Sequence, residues 1–423
     1  VEGWVAIGYL WSRGEPLQHL RDLNVDAIAR GVGGLRIDDL PRAFWYTPQH
    51  AMSYALGLVA LPVGIVAGSL ATWPAIALAG LALGASVTLN PLVGALFCIV
   101  YALLVVVDAG ARQAPFRNVL RHAVAAIPVL LALGWTTFNK VAEGAGAVLH
   151  IGLFGPAANA PVVSFLLSFG PILILVLIGV WPQRTVAFRQ VFAAAAGVAL
   201  SVLVMHLLTM TVDLFWVGFR TGHLFLVFAP ALVARGLVRL AASGAKAVVA
   251  ASALVFVLGM PTTAIDAFNA QDVDNDHMGP GFHWTVTITA AEQEALAWIR
   301  QQTPVDAIVQ ADPIVRGRET WSLIPTWGER RMAGGQPISL MHVPAYDTTS
   351  TQIRQIYATG DVLEAWRIAR QLHIDFLYVG AAERHAYPQA AKFERRPDLF
   401  APAFDNAEVT IYAVARDPVE AHR

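Results

Sequence analysis

The stretch "DLFWVGFRTGHLFLVFAPALVARGLVRL" (213–240) decides the fold class. From residue 223 onward it is apolar for long enough to cross a bilayer, which takes about 17–25 residues of helix. Arg220 and His223 stand at one lip of that run. Two readings fit them. They are interfacial anchors, with Arg220 reaching toward water beside Trp216 and Phe219, or they hold an anion.

Composition extends the first observation to the whole chain. Of 423 residues 56% are hydrophobic and 14% charged, and the mean hydropathy is +0.54. Soluble domains carry about 25% charged residues, so the sequence describes a polytopic membrane protein. Residues 47–262 hold three acids (Asp108, Glu143, Asp213) and ten Lys/Arg, leaving 27 acids and 19 bases in the flanks. Acidic flanks exclude nucleic acid as a partner. The single cysteine, Cys98, excludes an internal disulfide and a cysteine zinc site. The chain begins at Val1 without a basic leader, as expected of a piece of a longer protein.

Apolar runs at roughly 50–67, 72–89, 91–107, 122–138, 162–181, 190–212, 223–240 and 244–262 give about eight expected spans. Asn90 can cap and Pro91 suits a first helical turn, so the second and third spans meet in a tight junction. Loop charge orients the bundle. One set of loops holds Arg112, Arg117, Arg121, Arg184, Arg189, Arg235, Arg239 and Lys246, while the short loops of the other hold only Lys140 and Arg220. The second side is therefore expected outside, together with segment 1–46, loop 139–161 on the membrane surface, and 263–423.

After Pro261 the pattern changes. Thr289 and Glu292 have capping-box spacing before "AAEQEALAWIRQQ", and Pro304 stops that helix. "AIVQAD" (307–312) reads as a strand. "DVLEAWRIARQLHIDFLYVG" (361–380) repeats helix then strand, and "VTIYAV" (409–414) closes the set. The expected fold is mainly α: a transmembrane helical bundle over 47–262, then a small extracytoplasmic α/β domain over 263–423. That domain has no catalytic motif of its own.

"FRTGHLFLVFAPAL" (219–232) followed by "ALAWIRQQTPVDAIVQAD" (295–312) resembles the GT-C superfamily of integral-membrane glycosyltransferases, which includes protein mannosyltransferases and oligosaccharyltransferases. Members carry an Arg-aromatic pair at the outer lip of a late span; here Thr221 follows Arg220. Where oligosaccharyltransferases have a Trp-Trp-Asp acceptor motif, this chain reads "ADPIVRGRETWSLIPTWGERR" (311–331). "TWGERRMAGGQPI" and "HIDFLYVGAAERHAYP" resemble the exported tails of large bacterial membrane proteins thought to share the fold. The resemblance implies a bacterial plasma-membrane enzyme that takes its sugar from a polyprenyl-phosphate donor. It also implies a catalytic carboxylate in a first exported loop, ahead of the sequence given.

Sugar transfer from a lipid phosphate needs a carboxylate, as base on the acceptor or as ligand to a divalent metal, and a cation on the leaving phosphate. Arg220 fits the cation, since a guanidinium pairs with phosphate oxygens bidentately. His223 lies on the same helix face. Asp38, Asp39 and His50, in "RIDDLPRAFWYTPQHA" (36–51), are on the same expected side as Arg220 and are the catalytic candidates; a solvated turn and helix start is the other reading. "DVDNDHMGPGFHW" (272–284) has calcium-loop spacing at Asp272, Asp274 and Asp276, but His277 and His283 stand where Gly and Glu are required. A looser metal site would use Asp274, Asp276 and His277. His206 is expected in an interhelical hydrogen bond, and "ERRM" (329–332) and "ERRP" (394–397) at the surface. Two other function classes remain open: a secondary transporter, for which an interrupted pair such as 72–107 is a feature, and a membrane assembly factor whose exported domain binds a partner.

Overall fold

The computed structural model describes residues 1–16, 48–66, 71–110, 115–139, 149–152, 165–166, 168–181, 188–210, 216–269, 288–316, 323–335 and 344–416. The chain divides into two compact units, Val1–Trp284 and Thr285–Arg423.

The first unit is helical. Its elements are α1 (Glu2–Arg13), α2 (Pro48–Ile65), α3 (Trp73–Leu89), α4 (Pro91–Gly110), α5 (Pro115–Ala123), α6 (Ala126–Phe138), α7 (Ile172–Val180), α8 (Phe188–Leu207), α9 (Trp216–Ala241) and α10 (Ala245–Asn269). A two-stranded ribbon, β1 (Leu149–Ile151) with β2 (Leu208–Met210), pairs antiparallel. Four helices are long and apolar enough to cross a membrane: α4, α8, α9 and α10. The bent pair α5–α6 makes a fifth, and α2 and α3 are apolar but shorter. Among the described residues, four helices, or five with the bent pair, are therefore long and apolar enough to cross, against the eight apolar runs of the sequence. These helices make it an integral membrane protein.

Three expected spans differ for local reasons. The run 122–138 breaks at Val124–Ala125 with a 44° bend. Pro128 has no N–H to give to the Val124 carbonyl and clashes with it, which ends the first helix there. Within 162–181 the described residues are helical at 165–166 and 168–169 and again over Ile172–Val180, the latter about 13 Å long and too short to cross alone. Gly170 precedes it in the left-handed region (φ 61°), which only glycine adopts at no steric cost. The run 190–212 stays helical to Leu207 and continues as β2. There Gly152 N–H donates to the Leu207 carbonyl (2.8 Å), closing the ribbon.

The α3–α4 junction forms as the residues dictate. Asn90 ends α3, its N–H bonded to Ser86 O (2.9 Å), and its Oδ1 accepts from Val93 N (3.2 Å) in the first turn of α4. A second polar link lies inside the bundle, where the buried hydroxyls of Ser53 (α2) and Ser86 (α3) meet at 2.8 Å. Each hydroxyl is also within hydrogen-bond distance of the other's carbonyl, at 3.0 and 2.9 Å, and its one proton serves one of these acceptors.

Elsewhere the helices close on small residues, which let backbones approach. A Cβ on Gly179 would lie 2.1 Å from Leu232 O, and one on Gly236 would lie 2.4 Å from Leu175 O, so α7 and α9 cross with main chains in contact. Gly80 and Gly84 of α3 meet Ala125 and Pro128 in the same way. α1 lies on α10: Gly3 N–H donates to Thr262 Oγ1 (2.8 Å) and Trp4 Nε1 to Val257 O (2.8 Å).

The second unit contains α11 (Ala290–Gln302), β3 (Val309–Gln310), α12 (Pro344–Ala358), α13 (Val362–Gln371), β4 (Phe376–Val379), α14 (Ala381–Ala386), β5 (Phe400–Asp405) and β6 (Thr410–Val414). The sheet order is β3-β4-β6-β5, with β3 parallel to β4 and the other pairs antiparallel. Alternation along the strands fills two cores, because successive side chains take opposite faces. Tyr378 and Ile411 join Ala295, Leu296 and Ile299 of α11 on one face. Leu377, Val379, Tyr412 and Val414 join Ile353, Ile356, Ala365 and Ala369 of α12 and α13 on the other. The Thr289–Glu292 capping box is present with both bonds, 3.2 and 3.1 Å.

The strand expected over 307–312 is two residues long, Val309–Gln310. The Asp312 side chain turns the chain out of it by accepting from Ile314 N (2.8 Å) and Val315 N (2.7 Å). Arg330 of "ERRM" is 6% exposed. It caps the C-terminus of α11, donating to Arg300 O and Thr303 O (both 2.7 Å) and to Thr303 Oγ1 (2.9 Å).

Candidate functional site

The first turn of α2 carries His50, and the next turn carries Tyr54 on the same face. Both are buried. Near its start α9 carries Arg220, then the buried Thr221, His223 and Leu224. The two helices are joined where Tyr54 Oη donates to the main-chain carbonyl of Arg220 (3.2 Å). His50 then lies within electrostatic range of both Arg220 and His223. Arg220 is half-buried, while the ring nitrogens of both histidines are fully covered. Among the described residues neither ring nitrogen of His50 has a hydrogen-bond partner. Residues about 170 positions apart in sequence are thus brought together: a guanidinium and two imidazoles, with His50 in electrostatic range of the other two.

The opposite end of α2 is built differently. Arg189, at the start of α8, donates to Ile65 O (3.2 Å) and pairs with the buried carboxylate of Asp108 on α4. Asn118 Nδ2 reaches the same carboxylate (3.5 Å). Arg121 donates to Ala71 O (2.6 Å) and lies over the Trp73 ring, and His122 Nδ1 meets Tyr101 Oη (2.7 Å). Arg235 and Arg239 cap α7, donating to Gly179 O and Ile178 O (both 2.8 Å). Arg189, Arg235 and Arg239, three of the arginines that the charge rule placed inside, therefore also satisfy helix C-terminal carbonyls, which favour cations. From His50 to Ile65 along α2 is about 22 Å, so the His50–Arg220–His223 cluster and the Asp108–Arg189 cluster occupy opposite ends of that helix.

Of the residues singled out in the sequence, His50, Arg220 and His223 come together. Asp38 and Asp39 lie outside the described residues, as do Asp272, Asp274, Asp276 and His277, and the side chains of Trp216 and Phe219. Among the described residues no group of three or more His, Cys, Asp or Glu side chains could hold a metal ion. His206 makes no interhelical bond through Nδ1, which meets Val202 O of its own helix (2.9 Å), and its ring abuts Phe165 edge-on. Sequence reasoning missed Tyr54, whose signal is its four-residue spacing from His50. It also missed the buried carboxylates Glu2 and Asp266 on α1 and α10.

No protein-family model matches the chain, and no curated protein does. Solved structures of the archaeal oligosaccharyltransferase AglB from Archaeoglobus fulgidus are distantly similar. One, in complex with an inhibitory peptide and a dolichol-phosphate, is 12% identical with a TM-score of 0.36, over 92% of this chain and 58% of that one. A second, tethered to an acceptor peptide by a disulfide bond, is 12% identical with a TM-score of 0.37, over 95% of this chain and 58% of that one. A third, with zinc and sulfate, is 12% identical with a TM-score of 0.38, over 92% and 58%. This chain thus spans 58% of their length. At such distance the residues of the chain itself carry the function proposed below.

Proposed function

We propose that this chain is the distal part of a GT-C-like glycosyltransferase that takes a sugar from a polyprenyl-phosphate donor at the outer face of the plasma membrane. The observation that carries the reading is the convergence of His50 with Arg220 and His223 at the end of α2 away from the Asp108–Arg189 cluster. A guanidinium beside two imidazoles, at headgroup depth, suits an anion whose tail stays in lipid.

In the reaction an acceptor lone pair forms a bond to the anomeric carbon of the sugar, and the bond from that carbon to the phosphate oxygen breaks. The phosphate departs on its lipid, and the acceptor proton passes to a carboxylate. Arg220 takes the negative charge gathering on the leaving oxygen, where a fixed cation is worth several kcal/mol. His223 donates to a second phosphate oxygen, and His50 closes the cluster against water. Asp38 or Asp39, or a carboxylate ahead of this sequence, receives the proton. The positive-inside bias supports the outer face and an extracytoplasmic second unit.

The test is transfer of labelled sugar from synthetic polyprenyl-phosphate donors by the full-length protein in liposomes. Product is expected with at least one donor. Failure with every lipid-linked donor, by protein that is folded, contradicts the reading and moves it to the transporter or assembly classes.

A further inference from the structure

Tyr54 has no part in the chemistry above, yet it is 2% exposed and makes a contact of an unusual kind. Its ring belongs to the apolar cluster that holds Phe97 and Val100 of α4 with Leu224 and Phe228 of α9. A buried tyrosine must find a partner for its hydroxyl. Here the partner is the main-chain carbonyl of Arg220, 166 residues away (3.2 Å). A carbonyl oxygen has two lone pairs, so it accepts this bond in addition to any bond within its helix. The same face of α2 bears His50 one turn earlier. Apolar burial is non-directional, whereas a hydrogen bond has a preferred length and direction and so favours one height and rotation of the helix over its near neighbours.

We infer that Tyr54 is a positioning residue: its hydrogen bond to Arg220 sets the turn of α9 that presents Arg220 and His223 to His50. The consequence for activity rests on the glycosyltransferase reading; the helix register does not. Tyr54→Phe removes the hydroxyl and leaves the ring, so the apolar cluster stays filled.

The experiment has two arms, both on the full-length protein in detergent or liposomes. Hydrogen exchange is read peptide by peptide in wild type and Tyr54→Phe. Transfer per folded molecule is read in wild type, Tyr54→Phe and Arg220→Gln. The expected result is several-fold faster exchange confined to residues 216–224, together with a roughly three- to tenfold lower kcat/KM in Tyr54→Phe, the range of one lost hydrogen bond. Unchanged exchange across 216–224 overturns the inference whatever the activity. Faster exchange with full transfer by Tyr54→Phe, while Arg220→Gln is inactive, also overturns it. Faster exchange with full transfer by both variants upholds the register and removes Arg220 from the chemistry, whereas faster exchange with no transfer by wild type upholds the register and removes the glycosyltransferase reading.

Discussion

Asp108 and Arg189 form a buried ion pair between the end of α4 and the start of α8, with the aspartate side chain fully covered and the arginine 31% exposed. Arg189 also holds the last carbonyl of α2, so one guanidinium ties three helices. Asp108→Asn leaves the guanidinium half-buried without its counter-ion. The expected loss is about 2–3 kcal/mol, less than the roughly 3–5 of a fully buried pair because Arg189 keeps some water. Thermal unfolding in detergent reads it. Asp108→Leu with Arg189→Met is expected to recover much of the loss; a double variant worse than the sum of the singles would show that the pair is not the source.

The α7–α9 crossing predicts a contrast between glycines. Gly179→Ala must push a methyl into the Leu232 carbonyl and is expected to cost about 1–3 kcal/mol, the usual penalty of overpacking. A Cβ on Gly259 of α10 would meet nothing within 4 Å, so Gly259→Ala is expected to be neutral or stabilising by up to about 1 kcal/mol from helix propensity. Equal thermal shifts for the two variants would refute the close crossing.

Lys392 gives the second unit a pH dependence. It is buried, donates to Tyr357 O (2.9 Å) and Thr359 O (2.5 Å) just past α12, and burial lowers its pKa to about 8. Between that value and about 10.4, the ordinary lysine pKa, the unfolded chain binds more protons than the folded one. Stability must then rise with pH across that window, and the gain is lost as pH falls back toward 8. Proteolysis of the full-length protein is expected to release a resistant fragment starting near residue 285. Its urea midpoint should rise from about pH 8 to about pH 10, and Lys392→Met should flatten the rise. A midpoint independent of pH in the wild-type fragment counts against this account.

Topology can be read with single cysteines in a Cys98→Ala background. Membrane-impermeant thiol reagent is expected to label Gly144→Cys and the exposed Gln293→Cys from outside, and Lys246→Cys only after the membrane is opened. The reverse pattern would invert the bundle and remove the proposed site from the outer face.

What the sequence made legible were features set by neighbours in the chain. Asn90 and Pro91 mark a helix junction, and Thr289 and Glu292 mark a helix start, because capping is local chemistry. The span count was less legible, since an apolar run does not tell where Pro128 breaks a helix or where Gly170 turns one. β5 escaped because Pro402 argues against a strand; it is tolerated on the sheet edge, where the missing N–H has no ladder partner to lose. Arg330 looked like surface charge because its partners, the carbonyls of Arg300 and Thr303, become acceptors only once α11 has ended. At the site, Arg220 and His223 stood out by violating a charge bias, and His50 by its place at a span entry. Their meeting depends on how α2 and α9 each pack on α4 and α8, which no local pattern encodes.

The most direct measurement is sugar transfer from a polyprenyl-phosphate donor by the full-length protein in liposomes, comparing wild type with Arg220→Lys and Arg220→Gln. Lys keeps the charge but loses the bidentate geometry, so partial activity is expected. Gln loses the charge, and a fall of roughly a hundredfold or more in kcat is expected, since removing one preorganised contact to the charge developing in the transition state costs about 2.7–4 kcal/mol. Thermal stability should change little, because Arg220 is only half-buried. Wild-type rates in well-folded Arg220→Gln protein would contradict the account and leave Arg220 an interfacial anchor.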